Sequence, residues 1–171
     1  MNVEEAILMA IQYEKRVVQV YEEAARSSQD PTGKKIFGAL VKEEQQHVAY
    51  LESRLAEWKS TGRVTAASLG TVVPSRQRID EGIRTLRGRV AQKAPEAEMR
   101  LLKRALDVEV ETSAFYGRVV RELPPEGRAL FERFVEIEQG HQAIVQAEMN
   151  AVAGNGYWFD IPEIKIGRAH V

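Results

Sequence analysis

A Glu–Tyr pair and a Glu-x-x-His motif each occur twice in this chain at almost the same interval, and that repeat constrains the fold more than any other feature. Glu14 and Tyr21 recur as Glu109 and Tyr116, an offset of 95 (109 − 14 and 116 − 21). Glu44 and His47 recur as Glu138 and His141, an offset of 94 (138 − 44 and 141 − 47). A near-constant offset carried across two successive segments is the mark of one helical hairpin that has been duplicated. Two such hairpins packed on each other make an antiparallel four-helix bundle with a pseudo-twofold axis.

The hydrophobic pattern agrees with four helices. Ile7, Ile11, Glu14, Val18, Tyr21 and Ala25 recur every three or four residues in the first segment, behind Asn2 as a candidate N-cap. The second segment, from about Thr32 to Trp58, aligns Phe37, Leu40, Glu44, His47, Leu51 and Leu55, and Thr61-Gly62 stops it. Pro95 suits the first turn of a third helix with the stripe Met99, Leu102, Leu106, Glu109, Ser113, Tyr116 and Val120. Pro124-Pro125 separates it from a fourth, with Leu130, Phe134, Glu138, His141, Val145 and Glu148 in line, ending near Gly154-Asn155-Gly156. Short links within each pair and a long crossover between the second and third helices, about 60–94, give the connectivity of ferritin-like folds. The crossover carries a weaker amphipathic pattern at Ile79, Ile83, Leu86 and Val90. The domain is expected to span 1–156. An aromatic tail follows over 157–171, with Pro162 barring further helix, and packs as a strap over the bundle or across a subunit interface.

Glu14, Glu44, Glu109 and Glu138 fall on the apolar stripes, where an ionised carboxylate without a proton, a cation or a metal would suffer a large desolvation penalty. Glu44 with His47, and Glu138 with His141, are three apart, so each pair leaves one helix face and can meet one ion. The repeat then yields two half-sites, with Glu14 and Glu109 as terminal ligands, Glu44 and Glu138 as bridges, and His47 and His141 holding one ion each. Two divalent cations would balance the four carboxylates. Oxygen-rich ligation with one imidazole per ion suits iron, with manganese or zinc as alternatives. The rival reading is a bundle whose core carboxylates are simply protonated. Tyr21 and Tyr116 are expected to donate hydroxyl hydrogen bonds to ligand carboxylates. Glu43, Glu111 and Glu136 are expected to point away from the centre, Glu148 to be a bundle-end charge or a proton path, and His170 to be exposed in the tail.

Composition narrows the chemistry. The 171 residues carry a net charge of −1 and no cysteine, which excludes disulfides, thiolate metal sites and thiol catalysis, and offers no basic surface to nucleic acid. The N-terminus lacks the pattern of a signal peptide, and charges interrupt every apolar run, so a cytoplasmic protein without membrane spans is expected.

These residues together resemble the rubrerythrin family of ferritin-like di-iron proteins, in its short form without a rubredoxin domain. The resemblance rests on Ala10-Ile11-Gln12-Tyr13-Glu14-Lys15 with Tyr21, Glu43-Glu44-Gln45-Gln46-His47, Glu109 with Phe115-Tyr116, and Glu138-Gln139-Gly140-His141. It implies a non-haem di-iron centre in a homodimer that reduces hydrogen peroxide, or dioxygen, with electrons from a separate small donor such as a rubredoxin. Where full-length family members have a further glutamate one turn beyond the third-helix ligand, this chain has Thr112. The six remaining ligands match those of bacterioferritin-type ferroxidase centres, so iron oxidation and handling is the alternative, and a non-catalytic, metal-stabilised bundle the third.

Overall fold

In a computed structural model, residues 1–66, 69–84 and 92–161 are described, and all regular structure among them is helical. The helices are α1 (Val3–Ser27), α2 (Pro31–Thr61), α3 (Arg76–Arg84), α4 (Glu96–Glu122) and α5 (Pro125–Asn155). The sequence sets their ends. The Asn2 side chain accepts from Glu5 N at 2.8 Å, and Asp30 accepts from Thr32 N and Gly33 N at 2.8 and 3.2 Å, so each supplies partners for otherwise orphaned amides of a first turn. Gly62 and Gly156 close α2 and α5 with φ of 70° and 78°, a left-handed conformation that a side chain would oppose.

Side-chain pairs fix the helix directions. Tyr21 meets Glu109 while Tyr116 meets Glu14, so α1 and α4 run antiparallel. Glu43 and Glu44 meet His141 while His47 meets Glu138, so α2 and α5 do too. With α1 and α2 joined by a short turn, and likewise α4 and α5, α2 and α4 run parallel, as do α1 and α5, and a long segment joins α2 to α4. It contains α3, which packs on α5 through the buried Ile79. Leu86 and Val90, the second half of the crossover pattern, lie outside the described residues, as do Pro162 and His170.

The core is in two parts. One cluster gathers Ile7, Ile11, Leu51, Tyr116, Phe131 and Phe134, and the other gathers Val17, Tyr21, Phe37, Leu40, Leu102 and Val145. Six expected stripe positions on α1 and α4 shift by about one residue, Ala25, Met99, Ser113 and Val120 among them. Val18 and Leu106 are only half-buried, and Val17 and Ala105 take the inward places. The start of the tail packs on its own bundle as a strap: Trp158, Phe159 and Ile161 are buried, and Trp158 meets Phe37 edge-on at 5.2 Å. Gly33 makes room for it, since a Cβ there would lie 2.9 Å from the indole ring. Among the described residues no helix is long and apolar enough to cross a membrane.

Candidate metal centre

Between the two hydrophobic clusters lies a layer of six ionisable side chains with almost no solvent exposure: Glu14, Glu44, His47, Glu109, Glu138 and His141. All six sequence-predicted ligands are brought together. They form two groups, Glu14–Glu44–His47–Glu138 and Glu44–Glu109–Glu138–His141, each able to offer one ligand atom per residue within 4.8 Å of the others. Glu44 and Glu138 belong to both groups, which is where the sequence placed the bridges.

The two groups mirror each other. His47 Nδ1 is 3.2 Å from Glu14 and 3.5 Å from both Glu44 and Glu138. His141 Nδ1 is 3.5 Å from Glu109, 2.6 Å from Glu44 and 3.7 Å from Glu138. The imidazoles lie nearly parallel, 5.7 Å between centroids and 9° between planes. Both turn Nδ1 inward, so Nδ1 is the nitrogen available to an ion. The expected tyrosine bonds are present and crossed between halves. The Tyr21 hydroxyl donates to Glu109 at 2.7 Å, and the Tyr116 hydroxyl donates to Glu14 at 3.0 Å.

The charge state shows what such packing demands. Burial raises the Glu44 carboxyl and the Glu14 charge raises it further, to about 8. Burial, Glu109 and Glu14 likewise push Glu138 well up. Burial would raise Glu14 as well, but the adjoining Glu44 carboxyl and His47 hold it at about 2. Burial disfavours an imidazolium, yet the facing carboxylates, Glu44 foremost, lift His47 to about 10 and His141 well above its ordinary value. Burial and Glu109 raise Tyr21, and burial and Glu14 raise Tyr116, so both hydroxyls keep the proton they donate. Without metal, the packing favours protons on Glu44, Glu138 and both imidazoles, which offset buried carboxylate charge.

Those protons leave the hydrogen-bonding capacity of the layer unmet. Both oxygens of Glu44 and of Glu138, one oxygen each of Glu14 and Glu109, His47 Nε2 and His141 Nδ1 have no directed hydrogen-bond partner among the described residues. Native interiors rarely orphan buried polar atoms in such number, and a cluster aimed at common points is what a multivalent cation satisfies. The donor set, carboxylate oxygen with one imidazole nitrogen per group, fits a hard or borderline divalent ion.

Glu43 corrects the sequence reading. Far from pointing away, it is 3% exposed and accepts a hydrogen bond from His141 Nε2. It also accepts from Thr71 Oγ1 at 2.9 Å and from Val72 N at 2.5 Å, both in the crossover. Although burial works the other way, contact with His141 holds its carboxyl below the usual range. The signal was in the sequence: Glu43 stands three after Leu40 and four before His47, on the same inward stripe. Glu111 and Glu136 do face outward, paired with Arg16 and Arg133. Glu148 is neither an exposed end charge nor in contact with the ligand layer. It is buried, accepts from Phe159 N at 3.0 Å, and burial, with the charges of Asp160 and Asp30, raises its carboxyl well up. Glu98, which the sequence did not single out, anchors the same strap by accepting from Trp158 Nε1 at 3.2 Å and Ser28 Oγ at 2.6 Å.

No family model, curated protein or solved structure matches the chain.

Proposed function

We propose that the chain is a ferritin-like di-iron oxidoreductase of rubrerythrin type, reducing hydrogen peroxide with electrons from an external donor protein. The single observation that carries this reading is the pair of four-residue groups sharing Glu44 and Glu138. A shared pair of carboxylates is what two ions bridged at close range require, and a Glu from each of two helices with a Glu-x-x-His from each of the others is the arrangement of di-iron and di-manganese bundles. Two iron ions held there would supply together the two electrons needed to cleave one O–O bond.

The chain's own residues have separate parts in this. Glu14 and Glu109 are end ligands whose carboxylates Tyr116 and Tyr21 hold in place. One oxygen of each has no hydrogen-bond partner among the described residues and would be available to an ion. Phe134 stands edge-on to His47 and stacks on Tyr116, keeping bulk water from that side of the layer. A homodimer and a small redox donor complete the proposal.

Thr112 favours a second reading. It carries no carboxylate, and its buried hydroxyl is spent on Val108 O at 2.8 Å, so it offers no seventh ligand for a redox-linked ligand exchange. The remaining six ligands would equally serve ferrous iron oxidation. Anaerobic loading with ferrous iron, followed by one equivalent of peroxide or of air, separates the two through the near-ultraviolet absorption of the oxidised iron pair. Two irons per chain and a much faster response to peroxide support the peroxidase. Faster reaction with air, with turnover of added ferrous iron, supports the ferroxidase. Iron binding below two per chain, or unchanged by Glu44→Ala, overturns both.

A further inference from the structure

The duplicated hairpin is symmetric in its ligands and unsymmetric immediately behind them. Behind His141 stands Glu43, itself held by Thr71 and Val72 of the crossover. Its counterpart at the repeat offset, 43 + 94 = 137, is Ile137, an apolar residue 2% exposed. Accordingly His47 Nε2 is buried with no hydrogen-bond partner among the described residues, and its ring lies edge-on to Phe134 at 5.4 Å. The break in symmetry falls on the one atom of each imidazole that a metal would not use.

We propose that the two metal positions are inequivalent, the ion held by His141 and Glu109 binding first and more tightly than the ion held by His47 and Glu14, with Glu43 as the positioning residue that sets the difference. This rests on the di-metal reading above. An imidazole that presents Nδ1 to an ion must carry its proton on Nε2. For His141 that proton lies in a hydrogen bond to a carboxylate, which fixes the tautomer, fixes the ring and makes Nδ1 a stronger donor. For His47 the same proton has no hydrogen-bond partner among the described residues, and the ring packs edge-on to Phe134. Glu43 also brings a further negative charge closer to the His141 position than to the His47 position, and the two crossover donors keep it there. Loss of such an outer partner typically weakens a metal site 10- to 100-fold, and among the described residues His47 Nε2 has none. The crossover segment thereby becomes part of the metal centre: what disturbs residues 71–72 disturbs one ion and leaves the other.

The test is anaerobic titration of the metal-free chain with Co²⁺, following visible absorption and heat together. The expected result is two Co²⁺ per chain in two resolved events, with dissociation constants at least about 10-fold apart. Glu43→Gln should weaken the tight event about 10- to 100-fold and bring the two constants together. Thr71→Val, which removes one of the donors holding Glu43, should shift the same event in the same direction by less. Glu109→Gln should abolish the tight event, and Glu14→Gln the weak one. The ratio of the two constants is the informative quantity, because general loosening of the bundle moves both alike, and metal-free melts of each variant show that it is folded. Two equal events in the unaltered chain, an unchanged ratio in Glu43→Gln, or loss of the tight event in Glu14→Gln would overturn the proposal while leaving the di-metal reading intact. Fewer than two Co²⁺ per chain in the unaltered protein would instead bring down the di-metal reading, and this proposal with it.

Discussion

Replacing Glu138 with methionine should make the metal-free protein more stable and the metal-loaded protein less so. Glu138 is fully buried, raised well above its ordinary value by burial and by Glu109, and neither of its oxygens has a directed hydrogen-bond partner among the described residues. A buried polar group left unmade costs on the order of 1–3 kcal/mol. Methionine has similar length and helix propensity, carries nothing that needs solvation, and adapts to irregular space. Removing a neutral acid takes no counter-charge from His47, so the variant should gain about 1–3 kcal/mol in chelator. At the scale of a chain this size that is a rise in Tm of about 2–12 °C. With metal the sign reverses. A divalent ion at about 100 times its Kd stabilises the native state by about 2.7 kcal/mol for each site filled, and Glu138 belongs to both groups, so its loss should remove most of that increment at both. Thermal melts by circular dichroism, in chelator and then in excess Mn²⁺ or Zn²⁺, read both halves of the prediction. A variant that melts below the parent in chelator, and gains as much from metal as the parent does, would refute the view that these carboxylates are tolerated for the sake of cations.

Other substitutions test separate parts of the structure. Tyr116→Phe keeps the ring and deletes the bond to the ionised Glu14, so urea unfolding of the metal-free protein should show a loss of about 1.5–3 kcal/mol; no change would mean the hydroxyl is idle. Trp158→Ala empties the site beside Phe37 and Gly33 and should lower stability by about 3–5 kcal/mol while two metals per chain are still bound, whereas lost metal stoichiometry would show that the strap does more than hold the bundle together. Glu148 gives the pH signature: its carboxyl is raised in the folded chain, so its contribution is fully present below the unfolded value near 4.5 and is lost as pH rises toward the folded one. Stability should therefore fall by up to about 1.4 kcal/mol per pH unit in that window from this group alone, and Glu148→Gln, which keeps an acceptor for Phe159 N, should flatten that part of the Tm–pH curve; an identical slope in the variant would remove Glu148 as its source.

Much of the centre was legible because a duplicated hairpin writes its geometry into sequence spacing. The offsets of 95 and 94 mark Glu14 with Tyr21 and Glu109 with Tyr116 as equivalent pairs whose hydroxyls reach ligand carboxylates, and the structure makes both bonds, crossed between the halves. Helix ends were readable where a side chain or a glycine makes the cap, as at Asn2 and Gly156. Single-turn detail was less so. Val18 and Leu106 satisfy a helical repeat, but the inward direction drifts along a helix of 25 or 27 residues, and the adjacent Val17 and Ala105 take those places. Glu43 was misread for another reason. It sits beside a ligand in sequence, and its role depends on Thr71 and Val72 arriving from a crossover whose path spacing alone does not encode. Glu98 and Glu148 have the same history, since their partners are in the strap.

The position of the ligand layer within the bundle makes its charge a matter of stability as well as chemistry. Six ionisable groups separate one hydrophobic cluster from the other, so neither cluster can close over the middle of the bundle without them. When they carry protons the buried carboxylate charge is offset but the layer is poorly hydrogen-bonded. When they carry cations the same atoms would become ligands, and binding energy would be spent directly on the fold. A bundle stabilised only by its two apolar halves would do better with leucine at Glu44 and Glu138, and those two are the residues common to both groups. Retaining acids at the positions where they are hardest to bury is intelligible if the chain meets metal in its working state, and it ties stability of the fold to occupancy of the centre.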